Sequence, residues 1–232
     1  MRTDAVRAGG LFGFAALVVS GAAVAFERAS ADVMTAAPAE YTTWVVTNHS
    51  ALLTQSLLFV TSSGLLLLLF GGVRALLDDA PALARTTLAA GAVWVALSLS
   101  GQALQVAMTR AALDGAAPGV VAMLGDLMTV LLLVANLPLV ILLAAVALAG
   151  LRETGPDKRR VPAWLGWVSA AAALLHLVPL LSIPVTDGPM SPDGVVGYLP
   201  YPAFVVWLVA VSVVMVRAPA RDRAPVAPSH AA

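Results

Sequence analysis

The stretch LLFVTSSGLLLLLFGGVRALL, Leu57–Leu77, carries one charged residue, Arg74, in 21 positions. The hydrocarbon core of a bilayer is about 30 Å thick, and a helix needs roughly 20 mainly apolar residues to cross it. Backbone groups in hydrocarbon have no water to bond, so they must pair within the segment, which makes helix the default. The stretch therefore reads as the greater part of a spanning helix, Ala51–Val73. Working outward, Gly9–Phe26, Thr86–Met108, Val120–Leu151, Ala163–Ile183 and Tyr198–Val216 pass the same test, giving six spans. The fourth has 32 residues, about 48 Å as a helix. Because it exceeds the core, its first turns are expected at the interface and the span nearer Leu131–Leu151, between Pro118-Gly119 and Arg152. The expected fold class is all-α: a polytopic membrane bundle of six transmembrane helices over residues 1–217, both termini cytoplasmic, then a disordered Pro/Ala/Arg-rich tail, 218–232.

Composition agrees. The chain is 60% hydrophobic and 11% charged, whereas a soluble domain carries about 25% charged residues. The absence of cysteine excludes disulfides, thiolate metal sites and cysteine nucleophiles. A net charge of zero provides no basic field for nucleic acid. Lys and Arg in short loops set orientation. With the N terminus inside, the cytoplasmic set is Arg2, Arg7, Arg74, Arg85, Arg152, Lys158, Arg159, Arg160, Arg217, Arg221 and Arg223, against Arg28 and Arg110 outside, a split of 11 to 2.

One competing reading concerns the first helix. A basic start, an apolar run and Ala29-Ser30-Ala31 together resemble a cleavable signal peptide. Glycines at 9, 10, 13 and 21 equally suit close packing of a retained helix, and Gly9, Gly13 and Ser20–Gly21 would make a small-residue face for docking another helix. In the long outer loop, Pro38, Tyr41, Trp44, Val45 and Asn48 have helical spacing and predict a short interfacial helix. The loop Pro184–Gly197, rich in Pro and Gly, is expected to be irregular.

Polar side chains within spans are costly and are therefore the candidate functional residues. Gln55, Gln102, Gln105, Asp126 and His176 all fall in the outer third of the predicted bundle, while inner segments such as Leu65–Phe70 and Val140–Leu148 are apolar. Ser98, Gly101, Gln102 and Gln105 share one helical face. Two readings stand side by side: a small outward-facing pocket in which His176 carries a proton, or hydrogen bonds between helices at about 0.6 kcal/mol each. Asp126 also has a simpler reading as a carboxylate complementing a helix N terminus. Asn136 precedes Pro138, whose missing N–H predicts a kink, and Pro179 predicts a second one just after His176.

Familiar catalytic chemistry is not evident. The three histidines, His49, His176 and His230, form no metal-ligand spacing. Haem ligation would require His49 and His176 to meet. No metalloprotease, nucleophile-elbow or phosphate-loop motif occurs. No cofactor or metal is expected. The expected partners are the lipid bilayer and a membrane-protein partner or second copy, with no nucleic acid.

Three segments carry a resemblance: Arg7-Ala-Gly-Gly-Leu-Phe-Gly-Phe, Leu57–Leu77 with its Phe-Gly-Gly-Val-Arg turn, and Val161–Ala171 (VPAWLGWVSAA). Together they resemble uncharacterised six-helix integral membrane proteins abundant in actinobacteria. The resemblance implies six helices and a bacterial plasma membrane, and no activity. The functional expectation is a non-enzymatic binding, transport-related or partner-interacting membrane component. The alternative is a membrane-embedded enzyme or proton-linked transporter using His176 and Asp126, which requires the two groups within hydrogen-bond reach.

Overall fold

The computed structural model describes residues 2–26, 36–152, 161–181, 183 and 200–218. They form α1 (Arg2–Val24), α2 (Pro38–Thr47), α3 (His49–Leu76), α4 (Pro81–Leu113), α5 (Pro118–Val134), α6 (Asn136–Leu151), α7 (Ala163–Leu181) and α8 (Pro200–Val216). Proline opens α2, α4 and α5. At that position its missing N–H costs nothing and its fixed φ suits the first turn. Gly115 closes α4 at φ 77, and the Ala116 N–H reaches back to the Ala111 carbonyl at 2.9 Å. This is the wrap-around that lets a chain leave a helix without orphaning its last carbonyls.

Five segments are long and apolar enough to cross a membrane: Asp4–Val24, His49–Leu76, Pro81–Leu113, Pro118–Leu151 (α5 and α6 together) and Ala163–Leu181. The sixth expected span lies on α8, which is apolar but has 17 described residues, about 25 Å of helix. The molecule is thus an all-α, multi-pass membrane helix bundle. Its perimeter bears large apolar side chains, among them Leu57, Leu68, Leu148, Trp167 and Leu174, each about half or more exposed, as a lipid-facing surface requires.

Packing closes into a ring: α1 lies against α3, α3 against α4, α4 against α6, α6 against α7, α7 against α8, and α8 against α1. Aromatic rings link its members through the middle. Phe70 meets Trp94 edge-on, Trp94 meets Phe204, and Phe204 stacks on Trp207 with centroids 5.7 Å apart. Helix α5 packs on α4, and α2 lies across both. Beneath α2, a smaller core gathers Tyr41, Val45, Leu52, Met108, Ala112 and Val121.

Glycines bring helix backbones together at several crossings, among them α1–α3 and α6–α7. A Cβ on Gly9 would lie 2.8 Å from the Cα of Gly72, and one on Gly150 would lie 2.8 Å from the Cα of Gly166. Close approach through small residues is how membrane helices gain packing when hydrophobic exclusion is unavailable. The α1 face expected to dock another helix is therefore consumed inside the bundle. Gly9 and Gly13 meet α3 and α8, and Ser20 bonds Ser62 at 2.6 Å. Of that set, Gly21 has nothing within 4 Å of a Cβ.

Helix ends and expected span ends differ. α3 and α4 run from His49 to Leu76 and from Pro81 to Leu113, beyond the expected Ala51–Val73 and Thr86–Met108. Hydropathy marks where hydrocarbon ends, whereas a helix continues until a turn residue stops it. The Pro138 distortion is present as a break at Ala135, between α5 and α6. Pro138 has no N–H to offer the carbonyl of Val134, so the ladder opens on its N-terminal side. Helix α7 continues through Pro179 to Leu181. The candidate cleavage site Ala29-Ser30-Ala31, the run Lys158-Arg159-Arg160, the loop Pro184–Gly197 and the tail from residue 219 lie outside the described residues.

Charge sorts to the two ends. The Arg7 Nε–H donates to the Ala218 carbonyl at 3.1 Å, joining the start of α1 to the end of α8. Arg152, after α6, pairs with Asp79 in the α3–α4 turn. Arg7, Arg74, Arg85, Arg152 and Arg217 thus share one end of the bundle, and Arg110 lies near the other.

Candidate functional site

The five outer polar residues do not form one constellation. Gln55 on α3 and Gln105 on α4 are brought together, and they and Gln102 on α4 are each buried at 4–6% exposure. Gln105 Nε2 donates to Gln55 Oε1 at 3.0 Å and to the Leu52 carbonyl at 3.1 Å. The Thr109 hydroxyl donates to the Gln105 carbonyl at 2.8 Å. Gln102 is three residues from Gln105 on the same face, and its Oε1 is buried without a hydrogen-bond partner among the described residues. The α3–α4 interface, sealed outwardly by the small core under α2, therefore holds an amide clasp. Thr54, Thr61 and Ser100, by contrast, return their hydroxyls to their own helix four residues back.

His176 on α7 belongs to a second cluster. Its Nδ1 lies 2.8 Å from Asn136 Oδ1. Asn136 Nδ2 donates to the carbonyls of Leu133, at 3.0 Å, and Leu132, at 3.3 Å, in the turn before the break. With its amide hydrogens committed there, Asn136 presents oxygen to the imidazole. His176 must then carry its proton on Nδ1. Its Nε2 keeps a bare lone pair and finds no partner among the described residues, while the ring meets Phe204 edge-on. Asn136 thus bridges the end of α5 and His176, a double contact that sequence spacing did not reveal.

Asp126 stands apart. It is exposed and lies beyond the first turn of α5, which contains no acidic residue, so helix-end complementation does not describe it. Neither ring nitrogen of His176 bonds it. The catalytic pairing of His176 with Asp126 lacks its required contact. The electrostatic neighbour of Asp126 is Tyr41, whose hydroxyl donates to Met108 Sδ at 3.1 Å and whose ring stacks on Trp44. Burial, with a smaller contribution from Asp126, pushes the Tyr41 phenol up to about 12. A raised folded value means the folded state holds the proton more tightly than the unfolded one, near 10. The docking of α2 should be fully stable below pH 10 and weaken as pH climbs toward 12. Trp44 emission should report the loosening, and Tyr41→Phe should flatten its pH dependence. A profile unchanged by that substitution would assign the transition to another group.

Sequence reading also passed over Ser169, buried on α7, which accepts from Trp207 Nε1 at 3.0 Å and donates to the Leu165 carbonyl at 2.7 Å. A lone serine among alanines carries no signal for such a relay. His49 is exposed at the start of α3, its Nδ1 on the Val46 carbonyl, and is not a partner of His176. Among the described residues, no three His or carboxylate side chains are placed to hold a metal ion.

Fold and polar clusters together define the class: an integral, multi-pass membrane helix bundle with two internal polar contacts between helices, Gln55–Gln105 and Asn136–His176. No protein-family model, curated protein or solved structure matches the chain.

Proposed function

We propose that the protein is a non-enzymatic component of a bacterial plasma membrane, with six spans and both termini in the cytoplasm, acting by binding and partner contact rather than as a path for a solute. The observation that carries this reading is the amide clasp. Gln105 commits its donor to Gln55 and to Leu52 on the neighbouring helix, so the two amides best placed to line a pocket between α3 and α4 bond each other instead. Orientation is supported by the gathering of Arg7, Arg74, Arg85, Arg152 and Arg217 at one end. The resemblance to six-helix actinobacterial proteins supports the compartment.

The chain has no native cysteine, so single cysteines test the reading directly. Gln55→Cys, Gln102→Cys, Gln105→Cys and His176→Cys should react with an impermeant thiol reagent about a hundredfold more slowly than Ser50→Cys, because labelling then waits on local opening. Rapid labelling at all four would reveal a water-filled outward pocket and overturn the proposal. A second reading, a proton-linked carrier, draws on the buried lone pair of His176 Nε2. It predicts rapid labelling at His176→Cys in particular.

A further inference from the structure

At the arginine-bearing end, a cleft of about 460 Å³ opens between the start of α1 and the α3–α4 turn. Ala5, Gly71, Pro81 and Ala84 supply apolar wall, and Arg74, Arg85 and Asp78 supply charge. Arg74 and Arg85 are exposed, and neither has an ion-pair partner among the described residues. The adjacent Asp79 is engaged by Arg152, so it does not neutralise them. Two guanidiniums against one carboxylate leave the cleft with one net positive charge.

We propose that this cleft binds the phosphate headgroup of an anionic membrane lipid. Guanidinium forks match phosphate oxygens in geometry and charge. Arg74 and Arg85 sit where the apolar runs of α3 and α4 end, the depth at which headgroup phosphates lie, and basic pockets between spans on the cytoplasmic side recognise such lipids. The apolar wall beside the charges suits a diester with acyl chains better than free phosphate, which would gain nothing from it. The inference deepens the binding reading above and shares its orientation. Lipid binding is measured independently of the outer cysteines, so either can fail alone.

The full chain, purified in a zwitterionic detergent, would be titrated with phosphatidylglycerol, phosphatidylcholine or inorganic phosphate, reading bound lipid by native mass spectrometry and thermal midpoint. Phosphatidylglycerol should bind and stabilise where phosphatidylcholine does not. Arg74→Gln/Arg85→Gln should weaken it about thirtyfold, roughly fivefold per charge removed, while Arg110→Gln leaves it unchanged. Gly71→Leu keeps both arginines and occupies open space, since a Cβ there meets nothing within 4 Å. It should weaken phosphatidylglycerol by filling the cleft, which loss of general surface charge would not explain. Equal binding of both lipids by the native chain, or a double variant indistinguishable from it, would overturn the proposal. Equal stabilisation by inorganic phosphate would make free phosphate the ligand and overturn the lipid assignment.

Discussion

Gly150→Val is expected to lower stability by on the order of 3 kcal/mol, the upper range for forcing volume into a packed interior, and the thermal midpoint by roughly 10 °C for a chain of this length. The first added carbon would lie 2.8 Å from the Cα and 3.0 Å from the amide nitrogen of Gly166. Neither atom can rotate away, so α6 and α7 must separate along their contact. Gly9→Val should behave alike, because its obstacle is the Cα of Gly72. The controls are glycines of similar sequence character: Gly21→Ala and Gly64→Ala meet nothing within 4 Å and should be neutral or stabilise by about 0.5–1 kcal/mol through helix propensity. Thermal unfolding in detergent, followed by tryptophan emission, separates the two sets. If Gly150→Val unfolds with the native midpoint, the α6–α7 crossing is not closed as described.

Asn136→Leu is expected to cost about 2–3 kcal/mol, since it removes three hydrogen bonds at once at roughly 1 kcal/mol or somewhat less each. The Leu132 and Leu133 carbonyls lose their donor, and His176 Nδ1 loses its acceptor. His176→Leu should cost less, because Asn136 keeps both carbonyl bonds and the unpartnered Nε2 is removed with the ring. The double variant should show a coupling of about 1 kcal/mol, the signature of a direct contact. A neutral Asn136→Leu would mean that Pro138 alone maintains the break. A His176 variant costlier than its Asn136 counterpart would give Nε2 a role of its own and favour the carrier reading.

The cost of moving backbone from water into hydrocarbon is local, so a window of about 20 residues suffices to find spans such as Ala51–Val73 or Ala163–Ile183. The helix at Pro38, Tyr41 and Trp44 was legible for a similar reason, since proline and apolar spacing act within a single turn. The Gln55–Gln105 clasp was partly legible. Both residues were singled out as costly in lipid, but their mutual bond depends on how α3 and α4 are rotated. That Asp126 is exposed on α5 was not legible, because polarity alone does not distinguish an inward carboxylate from an exposed one.

The sequence by itself determined membrane class, all-helical structure, the main spanning segments and the break near Pro138, because each follows from short-range solvation and backbone chemistry. Only the tertiary structure decided that the helices close into a ring, that Gly150 faces Gly166, and that Asn136 serves His176 and its own broken helix together. It also decided that the glycine face of α1 is used internally and that Arg74 and Arg85 border one cleft. These are matters of rotation and register between helices. A membrane imposes no single apolar face from which to read them, because lipid and protein interior are nearly alike in polarity.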